Sequence, residues 1–303
     1  MIRPGPGDEP AGMQPDTTTH GVDVALDARL RAERAELADT RNWLDQHEAA
    51  PATVRDAFGL RHLDQDGLVM VGSAIPFSHF NMVLTLGCPA EVDDRAWAAI
   101  ERFYGPAEHW VVVNEHSDPA LPAALAERGY QTVDTWDRIV LDTPRPDRWR
   151  AAATGTEIVH GANAPAWAAF VVGCYGMPPL IADWLLALVD RPGWIHTIRR
   201  DGGRPDGQVV MARSAFVDGD WAWLGIDAPI PGVMAPCFAD DHAVSAALLL
   251  ELERRGVEHV VTDIEAPSAD RNGPADHSWS DLGFRPAYRR TVHHRPPGGR
   301  RPG

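Results

Sequence analysis

The chain contains no lysine, so its 28 residues counted as Lys or Arg are all arginine, against 43 aspartates and glutamates and a net charge of −15. Proteins that bind nucleic acid neutralise backbone phosphates with Lys and Arg, so this excess of acid argues against DNA or RNA as the main partner. The charge is compatible with a cationic small molecule, although many soluble proteins are acidic for solubility alone.

Cysteine is scarce as well. Cys88, Cys174 and Cys237 are far apart and form no C-x-x-C pair, which argues against a disulfide framework or a zinc ribbon and favours a reducing cytoplasm. No apolar run reaches about 18 residues and no signal-peptide pattern opens the chain, so we expect no membrane segment. The histidines and acids match no metal-ligand spacing, and we expect no metal site.

Composition divides the 303 residues into two folded parts between two tails. Residues 1–20 and 296–303 are rich in proline and glycine, which predicts tails without packed structure. A Pro/Arg-rich joint at 143–149 separates a first domain, 21–143, from a second domain, 150–295. Two domains are also what the length predicts, at roughly 100–200 residues each.

Both parts alternate helix and strand patterns. Apolar residues at helical spacing predict a long helix from Val22 to about His47. In the second part the turn Val217-Asp218-Gly219 joins the two strands of a predicted hairpin. A helix at Asp241–Arg255 and a strand at Val257–Ile264 follow it. This alternation predicts an α/β fold.

The two parts end in a similar way. In the first, Arg128-Gly129-Tyr130 precedes a predicted strand at Thr132–Leu141. In the second, Leu282-Gly283-Phe284 precedes a predicted strand at Ala287–His293. Each is a helix stopped by glycine, an aromatic residue and a closing strand, as a duplicated domain would place them.

Five phrases of the second part carry a family resemblance: Arg191–Ile198, Trp221–Gly225, Ala247–Gly256, Val260–Asp263 and Leu282–Tyr288. Through them the second part resembles the GNAT superfamily of acyl-CoA-dependent acetyltransferases, particularly its two-domain bacterial members. The first part is similar through Phe80-Asn81 and its closing Gly129-Tyr130. The resemblance implies tandem GNAT-like domains of the α+β type, each with a mixed, mostly antiparallel central sheet flanked by helices.

In that family the arm of acyl-CoA lies between two splayed strands, and amides at the start of the next helix hold its diphosphate. The resemblance implies acetyl-CoA or another acyl-CoA as co-substrate and an amine of a small molecule as acceptor. Tyr175 and Trp184 lie where the family's early helices line the acceptor pocket. The residues implied for acyl-CoA are Leu224, Gly225, Ile226, Asp241, His242, Ala243, Val244, Ser245 and Ala246.

The sequence departs from the family at the diphosphate loop. Asp240 stands for the usual Arg or Gln, and Ala243 and Ser245 stand for Gly and for Gly or Ala. Acids at a helix start stabilise the helix by about 0.5–2 kcal/mol, whereas an anion about 5 Å from another costs about 1 kcal/mol even at high dielectric. The long segment Asp227–Phe238 either rebuilds the cofactor entrance or blocks it. Trp279 replaces the family's frequent proton-donating tyrosine.

Candidates for proton transfer are Asp263, Glu265 and Tyr288. Asp263 and Glu265 share one strand face at the expected cleft, where a carboxylate could accept a proton from an amine. The pattern favours the alternative that they form a solvated or arginine-paired strand end. Tyr288 could donate a proton, or it could pack in the core.

Two hypotheses follow. The first is an N-acyltransferase that moves an acetyl or acyl group from acyl-CoA to a small-molecule amine, with the second domain binding the thioester. The second is a GNAT-like protein that has lost CoA binding and acts as a binding or assembly module, or runs another reaction in the same groove.

Overall fold

A computed structural model describes residues 17–75, 77–204, 206–229, 238–265 and 275–298. Within these ranges, the side chains of residues 17–26, 229, 238, 265 and 275–278 are not described. Among the described residues, no helix combines the length and the apolar character that crossing a membrane requires.

The chain alternates helices and strands throughout. The helices are α1 (Thr17–Ala49), α2 (Ala52–Phe58), α3 (Asp94–Tyr104), α4 (Leu121–Glu127), α5 (Pro146–Ala152), α6 (Ala164–Tyr175), α7 (Ile181–Leu186), α8 (Phe238–Arg254) and α9 (Ala275–Leu282). The strands are β1 (Arg61–Gln65), β2 (Leu68–Gly72), β3 (Met82–Val83), β4 (His109–Asn114), β5 (Gln131–Leu141), β6 (Thr156–Ile158), β7 (Trp194–Arg200), β8 (Val209–Asp218), β9 (Trp221–Pro229), β10 (His259–Glu265) and β11 (Phe284–Arg295).

All of these strands form one sheet, in the order β1-β2-β3-β4-β11-β5-β10-β9-β8-β7-β6. Most neighbours are antiparallel, and β3–β4 and β9–β10 are parallel. The sequence predicted two sheets, one in each half. The observed sheet joins them because the closing strand of each half pairs with a strand of the other half's parallel pair. β11 pairs with β4, and β5 pairs with β10.

Helices cover both faces of the sheet. Strand residues alternate between the faces, so Val69 and Val71 pack with α6 and α7 while Leu68 and Met70 pack with α3 and α4. The second half repeats this division, with α8 and α9 on the face of Leu224. The result is a three-layer α/β/α arrangement.

Helix α1 crosses the junction of the two halves. It presents Ala32, Ala35 and Ala38 to the sheet, each buried, where they pack against Trp221 and Trp223 of β9. Three alanines at successive third positions lie on one helix face, and their small side chains let the helix approach the strands closely. α1 begins at Thr17, inside the segment expected to be a tail.

The long closing strands and the hairpin between β8 and β9 agree with the sequence prediction, and Gly219 takes the left-handed conformation (φ 66°) in its turn. Helix α8 differs. It begins at Phe238, before the predicted start at Asp241. At the other end, the Gly298 amide donates to the Pro106 carbonyl at 3.0 Å, inside the segment expected to be a tail.

Candidate functional site

The two parallel strands of the second half separate partway along their length. β9 and β10 pair at His259–Trp221, Val260–Ala222 and Val261–Trp223, and β9 continues to Pro229 without further register to β10 in the described residues. The Thr262 hydroxyl donates to the Leu224 carbonyl at 2.9 Å and closes the narrow end. A wedge-shaped gap therefore opens beyond Leu224.

A β-bulge lies on β9 at the edge of this gap. Its register with β8 passes from Ser214–Gly225 to Ala212–Ala228, so Ile226 and Asp227 together oppose one residue. Ile226 has a φ of 46°, a conformation that is an outlier for a β-branched side chain. Bulges leave one residue outside the ladder, and local strain of this kind is concentrated at binding sites.

Gly225 is required by its neighbour Trp223. A Cβ built at Gly225 would lie 1.7 Å from Cη2 of the Trp223 indole. The indole therefore lies across the Gly225 backbone at the point where the strands part. A side chain at residue 225 would force the indole out of place.

The first turn of α8 carries two acids that both bind arginines. Asp240 pairs with Arg199 of β7, and the Asp241 carboxylate accepts from Arg213 of β8 at 2.6 Å. Arg213 is buried, and its guanidinium lies 4.9 Å from the ring of Trp279. Each acid thus has its charge matched by a partner from the sheet.

The residues predicted to hold a diphosphate are inside this helix. Because α8 begins at Phe238, the amides of residues 242–246 lie beyond the four at its start that lack helical partners. Ala243, Val244, Ser245 and Ala246 are buried, and His242 is half-buried with burial lowering its pKa. The amides without a partner inside the helix are those of 238–241. The preceding segment that could fill the entrance, 230–237, lies outside the described residues.

The fold is similar to that of several solved structures. A GCN5-related N-acetyltransferase from Kribbella flavida has a TM-score of 0.55 at 13% identity, covering 88% of this chain and 96% of its own. A tandem GNAT protein from the clavulanic acid biosynthesis pathway has 0.53 at 17%, covering 86% and 95%. The enzyme from Sphaerobacter thermophilus has 0.50 at 16%, covering 80% and 84%.

The chain has the GNAT fold. This confirms the fold predicted from the sequence, with the central sheets of the two halves joined into one. No protein-family model and no curated protein matches the chain, so its activity is argued from the site.

On the α1 face of the GNAT sheet, three carboxylates and two guanidinium groups form a buried network. Asp263 of β10 lies 3.0 Å from Nε of Arg138 and 2.5 Å from Nη1 of Arg290. Asp39 of α1 binds the same two arginines at 2.7 and 3.1 Å. Glu36 accepts from Arg290 at 2.9 Å.

This network engages two of the residues predicted to move protons. Asp263 is held between two guanidinium groups. The Tyr288 hydroxyl donates to Glu36 at 2.8 Å, and burial raises its pKa well above the ordinary value. Burial alone would raise the pKa of Asp39, but Arg138 and Arg290 bring it below its ordinary value. These contacts favour the structural interpretation of Asp263 and Tyr288.

An aromatic wall lies beside the network. His79, on the short 3₁₀ turn Ser78–Phe80, stacks on Trp136 with ring centroids 5.4 Å apart and 9° between planes, and on Trp43 at 6.1 Å and 29°. Trp136 is directly opposite Glu265 in the β5–β10 register. Trp43 lies 6.5 Å from Trp223. The wall, Trp43–His79–Trp136, therefore spans the open end of the gap.

The two residues predicted to line the acceptor pocket have different surroundings. Tyr175 is exposed at the end of α6, and its hydroxyl donates to the carbonyl of Asp227, beside the bulge. Trp184 is buried, and its indole donates to the Gln46 carbonyl at 2.6 Å, as a core residue does. Glu265 ends β10, and its side chain lies outside the described part.

A possible cation site lies away from the gap. Asp220, Glu258 and His259 are exposed and place one ligand atom each within 4.8 Å of the others. Arg34 already lies 3.4 Å from Asp220. Asp240 and Asp241, at the start of α8, bind arginines.

Proposed function

We propose that this protein is an acyl-CoA-dependent N-acyltransferase that acylates an amine of a small molecule. The observation that supports it most directly is the gap between β9 and β10, with a bulge at Ile226 on its edge. The gap occurs on the GNAT fold, where the resemblance implies that a thioester arm lies between these two strands.

The residues present fit an acyl-CoA. The backbone from Gly225 to Asp227 has left the β10 ladder and can pair with the amide groups of a pantetheine arm. The first turn of α8 offers unpaired amides and a partial positive charge. Asp240 and Asp241 oppose an anion there, but Arg199 and Arg213 balance them.

Acyl-CoA would supply an activated acyl group as a thioester. The protein's contribution is to hold the acceptor amine close to that carbonyl and to exclude water, which alone accounts for much of the rate of such reactions. Backbone N–H groups at the bulge can stabilise the oxyanion that develops on attack. The α1 face suits a cationic acceptor, because three carboxylates there face two arginines.

Thermal melting with acetyl-CoA tests the proposal. Ligand at 100 times its Kd should stabilise the protein by about 2.7 kcal/mol, which raises Tm by several degrees. Pantetheine and adenosine 3′,5′-bisphosphate, run separately, test the strand gap and the start of α8. The absence of any shift with millimolar acetyl-CoA and with longer acyl-CoAs would contradict the proposal.

The acids at the start of α8 favour a second candidate, a GNAT-like protein that works without CoA. That candidate predicts no response to any acyl-CoA. It also predicts that an unrelated small molecule or a stable partner co-purifies with the protein, which mass spectrometry of the purified sample would detect.

A further inference from the structure

The geometry points to His79, contributed by the first half of the chain, as the general base that takes the proton from the acceptor amine. This inference deepens the proposed function and rests on it. His79 belongs to none of the residues predicted from the sequence. It is identified by its place in the aromatic wall at the open end of the gap.

Three contacts fix that place. Trp136, on which His79 stacks, lies opposite the last residue of β10, and Trp43, its other neighbour, contacts Trp223 of β9. His79 is exposed by its surface area, although protein atoms surround most of its ring. A solute in the wedge between the two strands can therefore meet its edge.

The surroundings suit a neutral base. Burial lowers the pKa of His79, so the imidazole is neutral at pH 7. The carboxylates of Asp39, Asp227 and Asp263 act in the opposite direction and stabilise the imidazolium once it forms, while Arg290 opposes it. The Ser78 hydroxyl lies 3.3 Å from Nδ1.

Three other candidates near the gap are engaged elsewhere. Asp263 lies between two guanidinium groups, and Tyr288 donates to Glu36. Tyr175 donates to a backbone carbonyl, and burial raises its pKa. Among these groups His79 alone combines an exposed position with an imidazole, whose neutral form accepts a proton.

The step is balanced. The amine lone pair attacks the thioester carbonyl carbon, forming the C–N bond, and the C–S bond breaks with its electron pair leaving on sulfur. The proton that the nitrogen loses passes to His79, and from there to the thiolate or to solvent. No oxidant or metal is needed.

The test compares wild type with His79→Gln, and with His160→Gln as a matched control, since His160 is exposed at the far edge of the second half. Acetyl-CoA affinity is measured by calorimetry, and thiol release is followed with spermidine, tyramine and histamine as probe amines. We expect equal acetyl-CoA affinity in all three proteins. Turnover should fall about 100-fold in His79→Gln alone.

A pH profile separates a base from a merely structural residue. In wild type, kcat/KM should show an acid limb below about 6.5, separate from the higher limb set by ionisation of the probe amine, and the lower limb should vanish in His79→Gln. Added imidazole should partly restore His79→Ala. Imidazole resonances followed by NMR across pH need no acceptor and should show His79 neutral at pH 7.

The outcomes are distinguishable. If wild type does not bind acetyl-CoA, the proposed function fails, and this inference fails with it. If wild type binds acetyl-CoA but His79→Gln keeps its turnover and its acid limb within twofold, the inference alone is overturned. A His79 imidazolium that persists above pH 7 overturns it as well, because it has no site for the proton.

Discussion

The two halves each contain a parallel strand pair that separates, and they differ in what lies in the opening. In the second half β9 and β10 part beyond Trp223. In the first half β3 and β4 pair only at Met82–Trp110 and Val83–Val111. There the following segment folds back against the pair, with the Gly87 amide donating to the Ala90 carbonyl at 2.8 Å.

The first opening is filled by well-bonded core. Leu84 and Leu86 are buried, and the Thr85 hydroxyl donates to the Gly67 carbonyl at 2.7 Å while it accepts from the Val69 amide at 2.8 Å. A Cβ at Gly87 would lie 2.8 Å from Leu121. The segment after β3 is therefore part of the packed core of the first half.

The helices that follow the two openings, α3 and α8, also differ in what binds the acids at their starts. The Asp93 carboxylate caps α3 by accepting from the Ala96 amide at 2.8 Å. In α8 the carboxylates of Asp240 and Asp241 bind Arg199 and Arg213. The acid of one helix start is a cap for its own helix, and the acids of the other bind arginines of the sheet instead. This difference supports the second half as the place of the proposed cofactor site.

The largest expected effect comes from separating the halves. Residues 1–143 would lack β11 beside β4, and residues 144–303 would lack β5 beside β10, so each piece loses a central strand. We expect neither piece to show a cooperative melting transition alone, and co-expression to restore one. Circular dichroism with thermal melting of each piece and of the mixture measures this. Independent two-state melting of either piece would contradict it.

The closing strands also show what the sequence could predict. Their approximate bounds followed from local patterns, since alternation and a glycine stop are properties of neighbouring residues. Their exchange could not be foreseen, because partner choice depends on residues in the other half. For the same reason the sequence left open whether Asp263 is paired, because its arginine partner Arg138 lies on β5.

The candidate site shows the same limit on what a sequence can predict. The strands around the gap were predicted from the resemblance, but the start of α8 was placed too late because the family's loop was aligned on Asp240–Ser245. His79 gave no signal, since a histidine in a short turn has no periodicity to reveal it. Only the folded chain brings it beside Trp136.

The second largest effect is expected at two glycines, one beside the gap and one in the packed core of the first half. In Gly225→Ala the new Cβ would meet the Trp223 indole and displace it at the gap, so kcat/KM should fall about 10- to 100-fold. In Gly87→Ala the residue has φ 82° and its Cβ would crowd Leu121, so the free energy of unfolding should fall by about 1–3 kcal/mol. Kinetics with acetyl-CoA and denaturant melts measure the two. Equal loss of turnover in both variants would contradict the assignment.

A smaller effect is expected at the two helix starts. Asp240→Asn removes a negative charge from the first turn of α8 and leaves Arg199 unpaired, which should tighten acetyl-CoA binding about 3- to 10-fold at low salt. Asp93→Asn is the matched control at α3 and should leave acetyl-CoA affinity unchanged. Calorimetry at two salt concentrations measures both, and weaker binding by Asp240→Asn would contradict a phosphate site there.

The smallest effect concerns the pH dependence of stability, and it should be alike for one buried histidine in each half. Burial lowers the pKa of His109 in the first half to about 4 and of His196 in the second to about 3. His109 accepts from the Tyr130 hydroxyl at 2.7 Å, and His196 shares a hydrogen bond of 2.7 Å with the Ser214 hydroxyl. Both are neutral in the fold.

Since the unfolded chain binds these protons at a pKa of about 6.5, each contribution to stability is complete above that pH and is lost as the pH falls towards the folded value. Near pH 5 each histidine should add about 1.4 kcal/mol per pH unit to the slope of unfolding free energy against pH. His109→Asn and His196→Asn should each flatten that slope by the same amount, measured by urea melts from pH 7 to 4.5. A flattening in one half only would mean that the two cores differ as the two openings do, and that the divergence of the halves is not confined to the cleft.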